Sequence, residues 1–340
     1  MKHLSWALYA ITTAVLAAGC SHHDDEEDFT IELSLLEQAY YIKEADAIQP
    51  QWLQAEIREN PYLKILRSEN AHEMYLLEYP ESGMFKRYQD NQFQDVTTQE
   101  LDKLVETYSP WTCTHIYSFP LYPGDEEWDF DKYSVGQIKE KLRLSAHLLK
   151  TMRTPDLVEV CLDYQYMSDF IAYDEMQTGF DNLCIEFNGY DELLRRQDFV
   201  QTMLKKLYTH WHKMEKVKLL SEIEKGRYGF QCALFPLILA QDRSLKQFEK
   251  KGLRQMIDMS LANATTEQAE PAMFGRINQI QWLYLYARII QRQGGFVFKD
   301  EEERKRFEQF ARTCTSNPGI LAIFTEDLQQ RMISFLSRIR

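Results

Sequence analysis

The chain has 340 residues, with 39 Lys and Arg against 52 Asp and Glu and a formal net charge of -13. That balance excludes nucleic-acid binding by phosphate neutralisation, which needs basic stripes. The length suits one large domain or two smaller ones, and 19 Tyr and 19 Phe supply material for a core.

Lys2 and His3 open the chain, and an apolar run follows from Leu4 to Gly19. A bilayer-spanning helix takes roughly 20 apolar residues, so this run is short for a span. A basic start, an apolar middle and small residues at the end give residues 1–19 the layout of a secretory signal peptide. The last of them, Leu16-Ala17-Ala18-Gly19-Cys20, resemble the lipobox of bacterial lipoproteins, with Ala17 where that family usually carries leucine. The resemblance implies cleavage before Cys20, a diacylglycerol on its sulfur and a palmitate-type acyl chain on the new amino terminus. Each buried lipid CH₂ contributes about 0.8 kcal/mol, so several chains on Cys20 would hold the protein firmly to a membrane.

Ser21-His22-His23-Asp24-Asp25-Glu26-Glu27-Asp28 follows. Consecutive acids repel and stay solvated, so residues 20–28 read as a disordered tether and the domain is expected to start near Phe29. An acidic run directly after the lipidated cysteine resembles the surface-export signal of Bacteroidota lipoproteins, with Ser21, Asp24, Asp25, Glu26, Glu27 and Asp28 as its residues. That resemblance implies an outer-membrane protein facing the cell exterior. His22 and His23 have the composition of a metal tract. Adjacent side chains on a floppy segment are not preorganised for the tetrahedral set zinc wants, so no metal is assigned.

Residues 29–60 read as helix, from the spacing of Leu33, Leu36, Ala39, Tyr40 and Ile42, with a break at Pro50 and a second short helix ending before Pro61. "PYLKILRSENAHEMYLLEYPESG" continues as helix to Pro80 and Gly83. Periodicity is lost over 84–134, except in "TTQELDKLVETY", a helix capped by Thr97 or Thr98. Thr112–Phe119 has strand composition. Residues 29–134 are therefore expected to form an irregular, mostly helical amino-terminal portion with room for one or two short strands.

Residues 135–340 are expected to form a helical array. "SVGQIKEKLRLSAHLLKTM" reads as one amphipathic helix. Thr154-Pro155-Asp156 is a start signal of capping hydroxyl, first-turn proline and acid at the positive end of the dipole. Asn188-Gly189 reads as a left-handed terminator. Phe199, Met203, Leu207, Trp211 and Met214 mark a further helix, and later ones fall near 218–225, 228–241, 244–262, 273–292, 301–315 and 320–339. Gly294-Gly295 is a stop. Apolar residues ring Arg276–Arg292, which makes that helix central. Short connections suggest antiparallel pairs, and no strict repeat period is present. The expected fold is mostly α, an irregular α-solenoid-like array.

Residues 147–207 resemble a recurrent segment of uncharacterised Bacteroidota surface proteins. Met152, Thr154, Leu157-Val158, Cys161-Leu162, Tyr164, Phe180, Glu186-Phe187-Asn188-Gly189 and Leu193-Leu194-Arg195-Arg196 carry the likeness. It covers under a fifth of the chain and implies no activity.

Candidate chemistry is sparse. No HExxH, GxSxG or P-loop pattern occurs. In "PGDEEWDFDKY", an extended backbone would place Glu127, Asp129 and Asp131 on one face and Trp128 and Phe130 on the other. Three carboxylates together suit a calcium ion or glycoside hydrolysis. Against this, the glycine placement of a calcium loop is absent, and charge runs usually only solvate. Cys113 and His115, two apart on a strand, share a face as a thiol–imidazole pair would. His210 and His212 are spaced wrongly for a helical zinc pair. Five cysteines besides Cys20, including Cys161 and Cys184, form no CxxC pair, and free buried thiols are the default. The sequence thus points to a lipid-anchored surface protein acting, without catalysis or cofactor, as a helical module for an unknown protein partner. The alternatives are glycan binding or cleavage near Trp111, Trp128 and Tyr133, and immunity to a basic toxin, which an acidic surface would suit.

Overall fold

The computed structural model describes residues 50–248, 250–271 and 273–339, together with 33, 36, 37 and 39–41. The signal peptide, Cys20, the acidic run from Ser21 to Asp28 and most of the helix expected over 29–49 lie outside the described residues. No described helix is long and apolar enough to cross a membrane.

The chain is mostly helical, as expected, but its amino-terminal portion is organised around a sheet. The strands are β1 Tyr40–Tyr41, β2 Tyr62–Ser68, β3 Tyr75–Tyr79, β4 Met84–Gln89, β5 Gln92–Val96 and β6 Trp111–Tyr117. Their order is β1-β6-β2-β3-β4-β5, antiparallel except for β1 beside β6. This corrects the reading of 29–134 as mostly helical with one or two strands, and of 61–79 as helix. The reason lies in burial. Leu63, Ile65, Leu77, Tyr79 and Tyr88 pack with Leu53 of helix α1 (Gln51–Glu59). Leu66, Met74, Leu76 and Trp111 pack with Leu104 and Val105 of helix α2 (Thr98–Thr107). Strands covered on both faces lose their alternation and look like helix to a periodicity test. The β4–β5 turn is made by Asp90 and Asn91, both at positive φ, which suits the twist of a two-residue hairpin.

Helices α3 Val135–Lys141, α4 Ala146–Thr151 and α5 Thr154–Leu162 follow. The single helix expected over 134–152 is two. Ser145 caps the second by accepting from Leu148 N–H, and Asn188 fixes the break through paired bonds with the Leu144 backbone. A 3₁₀ turn at Met167–Ala172 leads to α6 Met176–Glu186 and α7 Asn188–Leu193. Gly189 is not a left-handed terminator. It lies inside α7, where a Cβ would sit 2.4 Å from the Phe187 ring and 3.2 Å from Cys161 Sγ.

The remaining helices are α8 Phe199–Val217, α9 Glu222–Leu239, α10 Asp242–Gln247, α11 Lys250–Ala269, α12 Arg276–Gln293, α13 Glu301–Thr313, α14 Pro318–Leu321 and α15 Glu326–Leu336. The two helices expected at 218–225 and 228–241 are one, α9, opened by a Ser221–Glu224 capping box. As its apolar circumference suggests, α12 is central and touches α9, α11, α13 and α15. One continuous core runs from Tyr62 and Cys113 on the sheet through to Leu336.

Candidate functional site

The sheet meets the helical body at β2 and β6, and the seam is charged. Lys64 is the lone ion in the apolar run Tyr62-Leu63-Lys64-Ile65-Leu66 of β2. Its ammonium lies 3.7 Å from the carboxylate of Asp156, in the first turn of α5. Asp156 is 2% exposed. It also accepts from the Tyr62 hydroxyl at 2.8 Å and from Arg153 Nε at 2.9 Å. The Arg153 guanidinium forks onto Glu78 of β3 at 2.5 and 3.1 Å. Such bidentate contacts fix geometry as well as charge.

Burial alone would raise the Asp156 carboxyl, but Lys64 and Arg153 overcome it and hold it below the ordinary carboxylate value. Burial would lower the Lys64 ammonium, but Asp156, with smaller contributions from Cys113 and Glu78, outweighs it, and the group is raised above its ordinary value. Tyr62 is raised by burial and by the neighbouring carboxylate. Lys64 and Asp156 each favour the other's charged form, so the two meet across the seam as an ion pair.

Beside this seam is a cavity of about 270 Å³. Ile116 and Cys113 of β6 and Phe235 of α9 give it apolar walls. Lys64, Asp156 and Glu159 line it from β2 and α5, and Lys205 and Lys206 from α8. Lys206 pairs with Glu159, and Lys205 with Glu37. Leu33, Leu36 and Ala39 also line it. The arrangement can take an apolar group while ion pairs ring it, and any charged guest must exchange with a pair already made. A second, larger and more open recess of about 440 Å³ lies beside Pro61, Tyr79 and Tyr117.

The cavity wall includes Cys113, but not as half of a thiol–imidazole dyad. Its thiol contacts the His115 carbonyl at 3.4 Å, while the imidazole bonds Leu63 O at 2.6 Å and Ser118 Oγ at 3.1 Å. Burial pushes the thiol up to about 12, far from the thiolate a nucleophile needs.

The residues singled out from sequence fall elsewhere. Glu127, Asp129 and Asp131 lie in a run of turns, not an extended strand. Asp129 accepts from the Asp131 N–H at 2.9 Å and pairs with Lys132 at 3.1 Å, so it closes its own turn. No group of three metal-ligating side chains occurs among the described residues. Trp128 stacks on Tyr166 with centroids 5.4 Å apart, Lys141 sits over Tyr133, and Trp111 is buried with its indole N–H on Val105 O. Cys161 and Cys184 are both free thiols. The side chains of His210, Trp211 and His212 lie outside the described ones.

Asp156 was read from sequence only as a helix-dipole acid. Beyond the neighbouring Arg153, its partners are distant in sequence: Tyr62 and Lys64, both of β2. The one sequence signal was Lys64, a charge inside an apolar strand run. Thr154, read as the capping hydroxyl, instead donates to Asp198 at 2.6 Å, tying the start of α5 to the start of α8.

No protein-family profile, curated protein or solved structure matches the chain.

Proposed function

We propose that the protein is an outer-membrane lipoprotein, anchored through Cys20 and facing the cell exterior, whose helical body is a non-catalytic interaction module. The lipobox-like Leu16–Cys20 and the acidic run Asp24–Asp28 support the location. One observation carries the role: every charged side chain named around the cavity beside the seam is engaged in an ion pair, so that cavity favours holding a partner's apolar group over activating a substrate. Stacking of the helices around α12 into an extended array would give a protein partner a broad surface. The rings of Trp111, Trp128 and Tyr133 already have partners within the chain, which weighs for a protein over a glycan.

Two measurements test this reading. Palmitate labelling should mark the wild-type chain and miss Cys20→Ala. Protease added to intact cells should cut the wild type and spare a variant with Asp24 to Asp28 changed to alanine. Protection of the wild type would overturn the surface assignment, and equal labelling of both chains would overturn the anchor.

A further inference from the structure

The cavity beside the seam carries an unmatched polar group. Gln231 and Phe235, one turn apart on α9, both line it. Gln231 is 9% exposed, yet its carboxamide makes no hydrogen bond with the described residues. The other buried carboxamides among those residues all have a partner. Asn263 donates to Leu207 O and Asn278 to Gly229 O, each at 3.0 Å. Gln329 donates to Phe324 O at 2.7 Å, and Gln281 to Met176 Sδ at 3.0 Å. A buried amide is costly to leave unmatched, so the exception at the cavity wall calls for a reason.

A second group agrees. Thr202 of α8 also lines the cavity and is buried, and its hydroxyl has no partner among the described residues. Thr209, two turns further along the same stripe, instead turns its hydroxyl back to Lys205 O at 3.1 Å. Ile116 of β6 and Leu162 of α5 complete the apolar walls with Phe235. The lysines at the edge, Lys64, Lys205 and Lys206, are held by Asp156, Glu37 and Glu159. What the cavity offers a guest is therefore apolar surface and two neutral groups that each donate and accept.

We infer that this cavity binds a small uncharged molecule with an apolar body and a carboxamide or hydroxyl group, which Gln231 and Thr202 hydrogen-bond. Small-molecule pockets run from roughly 300 Å³ upward, and they favour joints within a fold and the space between helices. A cavity of about 270 Å³ walled by the sheet and by α5, α8 and α9 is of that kind. A neutral guest leaves the three ion pairs as they are, whereas a charged one must break a pair. The inference goes beyond the interaction module proposed above, and shares with it only that the guest is held without being transformed.

The test uses two probes alike in size and different in charge, naphthalene carboxamide and naphthoate. Equilibrium dialysis of the full chain in detergent micelles, against micelles alone, gives each affinity. Chromatography of the recovered probe shows whether it is intact. The carboxamide should bind saturably, and about tenfold more tightly than naphthoate. Gln231→Leu and Thr202→Val keep roughly the shape of each side chain and remove its bonding groups. Each should weaken carboxamide binding by up to about tenfold, the effect of one lost hydrogen bond. Neither should lower the urea midpoint, because no bond within the described protein is lost. No saturable binding of the carboxamide, tighter binding of naphthoate, or an affinity unchanged in both variants overturns the inference. Recovery of naphthoate from the carboxamide, with the variants weakened as expected, would support the site and overturn the non-catalytic reading. Failure of the site and failure of that reading are thus distinguishable.

Discussion

The Tyr62 hydroxyl donates to Asp156 at 2.8 Å and accepts from the Arg153 backbone N–H at 3.2 Å. One phenol on β2 thus serves both the buried charge and the first turn of α5. Tyr62→Phe removes a donor from the carboxylate and an acceptor from the backbone. It should destabilise by about 1.5–3 kcal/mol, the range for a hydrogen bond to a charged group. The reading is a lower urea midpoint at unchanged slope. A midpoint equal to wild type would mean that the phenol is dispensable to the seam.

Removing the charge should be worse. Asp156→Asn leaves Lys64 and Arg153 facing no carboxylate at this point, and breaking a buried pair costs about 3–5 kcal/mol. Lys64→Met added to it should recover part of the loss, because the stranded ammonium is gone. A double-mutant cycle measures this coupling. If the double variant is only as stable as the two losses summed, the 3.7 Å pair carries no coupling.

The same pair sets an acid limit. Lys64 and Arg153 hold the Asp156 carboxyl below its ordinary value despite burial, while in the unfolded chain it titrates near about 3.9. As pH falls through that region the unfolded chain takes up this proton first. The stability from Asp156 is therefore fully present above the unfolded value and is lost as pH falls through the depressed folded value. Thermal midpoints from neutral pH down to about 3 should fall more steeply for wild type than for Asp156→Asn. Parallel curves would assign the acid sensitivity to other carboxylates.

Local signals were legible in the sequence and nonlocal ones were not. Thr97 as the cap of α2, Gly294 at φ 68° and the ringed apolar surface of α12 behaved as their sequences suggest, because each is decided within a few residues. The sheet was hidden because β2 is covered on both faces, so Leu63, Ile65 and Leu66 show no alternation. Asp156 was hidden for a related reason. A carboxylate in a helix's first turn looks like a dipole partner, and its pairing with Lys64 appears only once β2 is laid against α5. The carboxylates of 127–131 drew attention by density, yet Asp129 is used up in its own turn.

Two glycines give the last prediction, with opposite signs for one substitution. A Cβ on Gly179 of α6 would lie 2.4 Å from the Phe170 carbonyl oxygen and 2.6 Å from its Cα. Backbone cannot rotate aside as a side chain can, so α6 and the 3₁₀ turn must separate. Gly179→Ala should destabilise by about 1–3 kcal/mol or more, as overpacking does. Gly226, inside α9, has nothing within 4 Å of such a Cβ. There alanine only removes unfolded-state freedom, and Gly226→Ala should stabilise by about 0.5–1 kcal/mol. Urea unfolding of both variants beside wild type reads the two signs in one experiment. The second also tests the run of α9, because the sequence had suggested separate helices meeting near 226. A loss of stability in Gly226→Ala would favour that broken arrangement over one continuous helix from Glu222 to Leu239.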